Sequence, residues 1–365
     1  MKGYAKPLNE FICGQQIQFV IPVYQRNYDW LQDNCDQLLS DLVKLIHSGR
    51  TSHFFGSIVT SVAGTGFSRL VIDGQQRLTT ISLLLLAGIK AVNDGLLEIS
   101  NESRKDEAYD LFLNAKYCNS ERKIKLVPIE NDRIAYDKIF NGEDELDEDS
   151  KITRNFRHFY DKLTRKPQQL TFDNLLDAVE HLQIISIELD ADDDAQLIFE
   201  SLNSTGLALT EADKIRNYLL MSLTTEEQQF CFKNYWQKIE SATENNPTKF
   251  LRDYLTIKQQ LQRPVRLSNI YFEWKKYMDG RDRKQEMEEM LDYAHYYQQV
   301  TEAQLETSKL SAKMRHICNI ESDVTNVFFI QFLKYAAKNI LSYDEIDKVI
   351  DVVENYSTCT VGIGR

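Results

Sequence analysis

The sequence lacks the patterns that identify several common classes of protein. Its six cysteines are scattered singly, with no Cys-x-x-Cys pair and no zinc-binding spacing, so we expect reduced thiols. No Walker A motif and no His-Glu-x-x-His motif occurs. The longest apolar run, residues 81–92, is interrupted by Ser82, Gly88 and Lys90, which argues against a membrane span. The start has no apolar signal-peptide region, so a cytoplasmic protein is expected.

Positive charge is also scarce. Lys and Arg number 43 against 55 Asp and Glu, which gives a net charge of −12. A protein that coats DNA by charge alone would need an excess of Lys and Arg, because its nonspecific affinity for DNA comes from neutralising phosphates. Residues 143–149 hold six carboxylates and are expected to form a solvated loop, whereas residues 249–284 hold ten Lys and Arg against four Asp and Glu. Any contact with nucleic acid must therefore be local.

Hydrophobic periodicity predicts an α+β fold followed by helices. Helices are expected from about Asp29 to Gly49 and from Gln76 to Val92; the second is apolar on most sides and should be buried. The expected strands form a small mixed sheet with packed helices and lie near 16–21, 54–62, 67–73 and 183–190. The predicted domains are residues 1–220, with a helical insertion at about 93–180, and a helical domain at 221–365.

Residues 71–81, VIDGQQRLTTI, place polar side chains where a strand passes into a helix. The first N–H groups of a helix have no intrahelical partner and attract anions. Arg77 adds a fork of donors suited to phosphate, while Thr79 and Thr80 add hydroxyls on the first turn. Asp73 would hold a metal ion or orient water. The alternative is an ordinary turn and cap in which Arg77 pairs with Asp73.

Two further polar junctions lie between apolar segments. In IPVYQRNYDW (21–30), Arg26 among aromatics suits a phosphate or a base; the alternative is a packed aromatic cluster. In FESLNSTGLALTEADKIRN (199–217), Asn203 lies in a tight loop, and Asp213 and Arg216 lie in the helix that follows. The alternative there is helix capping by Thr210 and Asp213, together with a surface salt bridge.

These three stretches, with HFFGSIV (53–59) and RNFRHFY (154–160), resemble the N-terminal domain of GmrSD-type, modification-dependent restriction enzymes. The resemblance spans roughly residues 10–260. That domain is similar to ParB and sulfiredoxin, and the DGQQR box is its signature. The resemblance implies a sheet of this type, binding and hydrolysis of a nucleoside triphosphate, and sensing of modified DNA. Mg²⁺ is the expected cofactor.

The residues and the resemblance together give a set of candidate site positions. Asp73, Gln76 and Arg77 are expected to be catalytic, with Asp73 also the candidate metal ligand. The expected nucleotide-binding residues are Tyr24, Gln25, Arg26, Gly74, Gln75, Thr79 and Thr80. Supporting roles are assigned to Asn203, Asp213 and Arg216.

The resemblance further implies that a His-Asn-His-type nuclease, fused at the C-terminus or separate, cleaves DNA. No histidine follows His316, so cleavage is not expected from this chain alone. The expected partners are a nucleoside triphosphate, modified DNA and that nuclease, without a membrane; a homo-oligomer is left open. Two alternatives remain: a non-catalytic module that recognises modified DNA through residues 249–284, and sulfiredoxin-like chemistry at Cys13 or Cys35.

Overall fold

The computed structural model describes residues 1–48, 50–63, 67–118, 120–165, 170–190, 192–202, 209–319 and 323–363. The chain forms two compact units, Met1–Gly206 and Leu207–Arg365, whereas the sequence places the boundary at residue 220. Asn203 and the predicted loop around it lie outside the described residues.

Unit 1 contains a mixed sheet of six strands, in the order β1-β6-β3-β4-β2-β5. The pairs β1–β6 and β3–β4 are antiparallel, and the other three pairs are parallel. The strands are β1 (Lys2–Pro7), β2 (Gln18–Val20), β3 (His53–Ala63), β4 (Ser68–Asp73), β5 (Leu126–Val127) and β6 (Leu182–Leu189). This sheet confirms the predicted α+β class, and β3 and β4 form an antiparallel pair at the two predicted strands near 54–62 and 67–73.

The helices of unit 1 include one long buried helix, α3. They are α1 (Leu8–Ile12), α2 (Gln32–Ser48), α3 (Gln75–Asn93), α4 (Ser103–Ala108), α5 (Glu130–Phe140), α6 (Lys151–Thr164), α7 (Phe172–Glu180) and α8 (Ala195–Leu202). A π-helical turn, Tyr109–Leu113, follows α4. Fifteen of the nineteen α3 residues are buried, because its apolar residues face in every direction and α6 and α7 pack against it. The predicted burial of this helix is confirmed.

Two strands and one helix boundary differ from the sequence prediction. β1 was missed because KGYAKP has no apolar alternation; it is an exposed edge strand, where Lys and Pro are common. β5 has only two residues, too few to give a periodic signal. Helix α2 begins at Gln32 rather than Asp29, because the N–H groups of Asp29 and Trp30 donate to the side chain of Gln76.

Unit 2 is helical throughout its described residues. Its helices are α9 (Glu211–Leu220), α10 (Thr225–Cys231), α11 (Gln237–Ala242), α12 (Pro247–Lys258), α13 (Ile270–Tyr277), α14 (Arg283–Thr301), α15 (Ser308–Asn319), α16 (Asp323–Ala337) and α17 (Tyr343–Ile363). The predicted capping box of Thr210 and Asp213 is present at the start of α9. In the part of the chain that the structure describes, no helix is both long and apolar enough to cross a membrane.

Candidate functional site

The candidate site lies where β4 ends and α3 begins. Gly74 is the N-cap of α3, with φ 95°, a value that few residues other than glycine adopt. A Cβ at this position would lie 3.0 Å from Cγ1 of Ile58 and 3.2 Å from the carbonyl oxygen of Ser57. Gly74 has no side chain with which to cap the helix, so the first N–H groups of α3 keep the partial positive charge of a helix N-terminus. Glycine here lets the junction lie directly against β3.

Arg77 extends from the first turn of α3 across strand β3. Its Nη1 donates to the carbonyl of Ser57 at 3.1 Å and lies 3.8 Å from Oδ2 of Asp73. The guanidinium is held over Gly56, where a Cβ would approach its Nε to 2.7 Å. The side chain is 25% exposed. The fork of donors is therefore fixed in place while part of it still reaches the surface.

The close approach of Gly56 to Arg77 gives a testable prediction. Gly56→Ala should displace the guanidinium and, if a nucleotide binds at this junction as the sequence predicts, weaken its binding by about tenfold, a loss typical of one misplaced charged contact. Gly95→Ala is the matched control: Gly95 also has positive φ, 70°, but nothing lies within 4 Å of its Cβ position. The control reproduces only part of the backbone strain, because an alanine tolerates φ 70° better than the 119° of Gly56. Titration calorimetry with nucleotide should separate them, and equal affinity in both would show that Arg77 does not bind the ligand.

Asp73 ends β4 in a largely desolvated position. Burial raises the pKa of its carboxyl group, while Arg77, the Gly74 N–H and Arg26 act in the opposite direction. Its side chain is 21% exposed. Arg26 itself lies 3.9 Å from Asp29 and contributes a second positive charge on the Asp73 side of the site. The structure thus brings together Asp73, Arg77 and Arg26, as the sequence predicted.

Gln76 braces residues 24–30, the YQRNYDW segment, against α3. Its Oε1 accepts from the N–H groups of Asp29 at 2.8 Å and Trp30 at 3.3 Å. Its Nε2 donates to the carbonyl of Asn27 at 3.1 Å. Both lone pairs of the amide oxygen are therefore used by main-chain donors. Gln76 holds the neighbouring segment in position, a role that the sequence did not suggest.

Gln25 and Gln75 connect the same two segments in both directions. Nε2 of Gln25 donates to the carbonyl of Ile72 near the end of β4, at 2.8 Å. Nε2 of Gln75 donates to the carbonyl of Arg26, at 3.3 Å. Buried amides of this kind are stable only when hydrogen-bonded, so these contacts fix the YQRNYDW segment beside the β4–α3 junction.

Helices α5 and α6 hold the YQRNYDW segment from its other side. Nδ2 of Asn155 donates to the Tyr28 hydroxyl at 3.0 Å and to the Trp30 carbonyl at 2.8 Å. Oδ2 of Asp132 accepts from the Tyr28 N–H at 2.6 Å, and Lys151 pairs with the Asp29 carboxylate. The sequence prediction missed these residues; the available signal was an asparagine within the apolar pattern of RNFRHFY.

The buried carboxyl group of Asp132 makes the stability of unit 1 depend on pH. Burial raises its pKa from 3.8 to about 6, opposed by the Tyr28 N–H and Lys151. The folded state therefore binds the proton of this carboxyl group more tightly than the unfolded state does. The stability gained from this proton is complete below pH 3.8 and is lost as pH rises through 6. Asp132→Asn keeps an acceptor without a charge and should increase the free energy of unfolding near pH 7 by about 1–3 kcal/mol. Denaturant unfolding should show this gain near pH 7 and little gain near pH 4; equal gains would contradict the assignment.

Three of the predicted nucleotide-binding residues have buried side chains. Thr80 is 0% exposed; its hydroxyl donates to the Gln76 carbonyl at 2.7 Å and lies 2.8 Å from the Tyr28 hydroxyl. Thr79 and Tyr24 are also buried. These side chains face the interior because the first turn of α3 already lies within the core. This burial favours a role in supporting the site from within over direct contact with a ligand.

Two of the supporting residues predicted in the third junction, Asp213 and Arg216, are described by the structure and lie in unit 2. Arg216 in α9 bonds to Asp213 at 2.8 Å and to Glu240 at 2.9 Å. Asp213 also completes the capping box with Thr210. This arrangement matches the alternative of helix capping plus a salt bridge, except that the arginine is buried.

Cys35 is unsuited to redox chemistry. It is completely buried in α2, and burial raises the pKa of its thiol to about 12. Reactive cysteines have a lowered pKa and partial exposure. Cys13 is exposed, and its Sγ lies 3.0 Å from the Glu10 carbonyl. The sulfiredoxin-like alternative therefore gains no support at the β4–α3 junction.

Comparison with known proteins gives one family. The family described as GmrSD restriction endonuclease, N-terminal domain, matches residues 8–220 and so includes the β4–α3 junction and the YQRNYDW segment. No curated protein matches the chain. Because this match covers more than half of the sequence, the chain belongs to the GmrSD N-terminal domain family, and its role lies in a modification-dependent restriction system.

Proposed function

We propose that the β4–α3 junction binds a nucleoside triphosphate with Mg²⁺ and hydrolyses it to regulate the restriction system. One observation carries the proposal: Arg77, Arg26 and the desolvated Asp73 converge where α3 begins without a side-chain cap. Helix N-termini bind phosphates, and phosphoryl transfer is catalysed mainly by positioning and by stabilising charge on phosphate oxygens. The residues present supply both.

Each residue has a role consistent with its contacts. Arg77 clamps phosphate oxygens, since its guanidinium is fixed by Ser57 yet partly exposed. Arg26 supplies a second cation. Asp73 contributes one oxygen ligand to Mg²⁺ or orients the attacking water; phosphate oxygens and water would complete the octahedral set that Mg²⁺ prefers. Gln75 and Gln76 position the YQRNYDW segment, which revises the expectation that Gln76 is catalytic.

The test is a nucleotide panel on the full chain with Mg²⁺. Titration calorimetry should detect one preferred nucleoside triphosphate, and phosphate release should be measured with and without modified and unmodified DNA. Stimulation by one DNA type would identify both ligands of the regulatory step. Failure of every nucleotide to bind, with Mg²⁺ present, would overturn the proposal.

A second candidate function is recognition of modified DNA without catalysis. Of the aromatic residues in the basic stretch 249–284, Tyr254, Trp274 and Tyr277 lie in the core of unit 2. Phe272 is 60% exposed, however, and the Lys276 Nζ lies 4.0 Å from its ring centroid. An exposed ring beside cations suits stacking on a base next to a phosphate.

This candidate is tested by gel shift with modified and plain duplexes at several salt concentrations. Preferential, salt-sensitive retention of modified DNA that falls in Phe272→Ala supports it. Equal weak binding to both duplexes counts against it. We also propose a nuclease as partner, because the family is associated with one.

A further inference from the structure

A cavity of about 440 Å³ opens beside the C-terminal half of α3, between that helix, α5 and α6. Its base is apolar and includes Leu86 and Ile89 of α3 and Ile139 of α5. Its volume lies in the range of small-molecule sites. From Arg77 to Ile89, α3 rises about 18 Å, so the cavity is separate from the candidate nucleotide site.

Aromatic rings form much of the cavity wall. They belong to Tyr109, Phe140, Phe156 and Tyr160. The Tyr109 and Phe140 ring centroids are 5.7 Å apart, and the Lys90 Nζ already lies 5.7 Å from the Tyr160 centroid. The faces of aromatic rings attract cations, and sites that recognise methylated ammonium groups are built from several such rings.

Carboxylates also line the cavity, in the form of Asp94, Glu143 and Asp144. The two cations in the wall already have acidic partners: Lys90 lies 3.0 Å from Asp94, and Arg157 pairs with Glu148. The surrounding field is therefore negative, which disfavours phosphates and carboxylates as ligands and favours positive charge.

We propose that this aromatic–acidic cavity binds an organic ammonium cation, with its methyl or methylene groups against the rings and its charge near the carboxylates of Glu143 and Asp144. An anionic ligand would be repelled, and a neutral ligand of the same shape would bury the same apolar surface without the electrostatic attraction of the carboxylates and the ring faces. The site is independent of the proposed nucleotide site, because it shares no residue with it.

The test compares choline with 3,3-dimethyl-1-butanol, its neutral isostere, on the full chain. Binding measured by ligand-observed NMR or calorimetry should be about tenfold stronger for choline, since both ligands bury apolar groups against the rings but only the cation is attracted electrostatically by the ring faces and the carboxylates. Tetramethylammonium and phenyltrimethylammonium are included as further probes. Equal binding of choline and the isostere would overturn the proposal, as would no binding of any ammonium probe at millimolar concentrations.

Two variants locate the ligand. Glu143→Gln with Asp144→Asn should weaken choline binding several-fold. The matched control, Glu145→Gln with Asp147→Asn, removes the same charge from exposed positions of the same loop that do not line the cavity, and should leave affinity unchanged. Phe140→Leu removes a ring and keeps apolar bulk, so it should also weaken choline more than the isostere. If the two double variants lost the same amount of choline affinity, net charge and not this cavity would govern binding, and the assignment would be overturned.

Discussion

Arg77→Gln is expected to lower nucleotide hydrolysis by about two to four orders of magnitude. Glutamine keeps hydrogen-bonding capacity but removes the charge, and arginines that stabilise the transferred phosphoryl group contribute on the order of 10³–10⁵ in rate. The contact with the Ser57 carbonyl shows that the side chain is already held in place before a ligand arrives. Most of the effect should therefore appear in kcat, because preorganised charge acts most strongly where charge develops in the transition state.

The control for this result is Arg69→Gln, in the same strand that leads to the site. Arg69 pairs with Val62 in the β3–β4 register and is four residues before Asp73. Its replacement should leave both hydrolysis and melting temperature nearly unchanged. If Arg77→Gln and Arg69→Gln had similar turnover, the proposed phosphate clamp would be wrong. If Arg77→Gln lost nucleotide affinity but kept its kcat, the role of Arg77 would be limited to holding the nucleotide.

Asn155→Asp should be the most destabilising of these substitutions. The side chain is buried, and its amide donates to Tyr28 and Trp30. A carboxylate of the same shape cannot donate to the Trp30 carbonyl and places an unpaired charge in the interior. Breaking buried polar pairs in this way costs about 3–5 kcal/mol. For a unit of this size the melting temperature should fall by about 10 °C.

The direction in which the stability of Asn155→Asp changes with pH shows whether a buried charge, and not simple misfolding, causes the loss. Protonation restores a donor and removes the charge, so part of the lost stability should return as pH falls toward about 5. Asn131→Asp, an exposed neighbour in α5, is the matched control and should change stability by less than about 0.5 kcal/mol at either pH. A loss in Asn155→Asp that does not depend on pH would argue against a buried charge.

The long buried elements could be predicted from sequence because their pattern is local. The α3 helix and the strands β3, β4 and β6 each carry enough apolar residues to be recognised within their own span. β1 could not be recognised in this way, since it is fixed by pairing with β6, more than 170 residues away in the sequence. Its residues carry little information about that partner.

The candidate site was predictable as a set of residues but less so in their roles. Arg77 and Asp73 were placed together by their spacing at a strand end. The glutamines were expected to hold phosphate, yet their amides bond to main-chain groups more than 40 positions distant. No local pattern shows whether an amide faces solvent or a distant backbone. The burial of Thr80 could not be predicted for the same reason, because the depth of the first turn of α3 depends on packing by α6 and the YQRNYDW segment.

The bracing of the YQRNYDW segment has a consequence for how ligand preference can change. Gln25, Gln75 and Gln76 hydrogen-bond to backbone groups of this segment and of β4. Every residue type except proline has both a backbone N–H and a backbone C=O, so these bonds do not depend on the side chains of the segment. Side chains at positions 26 and 27 can therefore be exchanged while the path of the backbone is retained. At this junction, the groups that hold the backbone are different from the side chains that would contact a ligand. Substitution of those side chains, by selection or by engineering, can therefore change ligand preference without changing the fold.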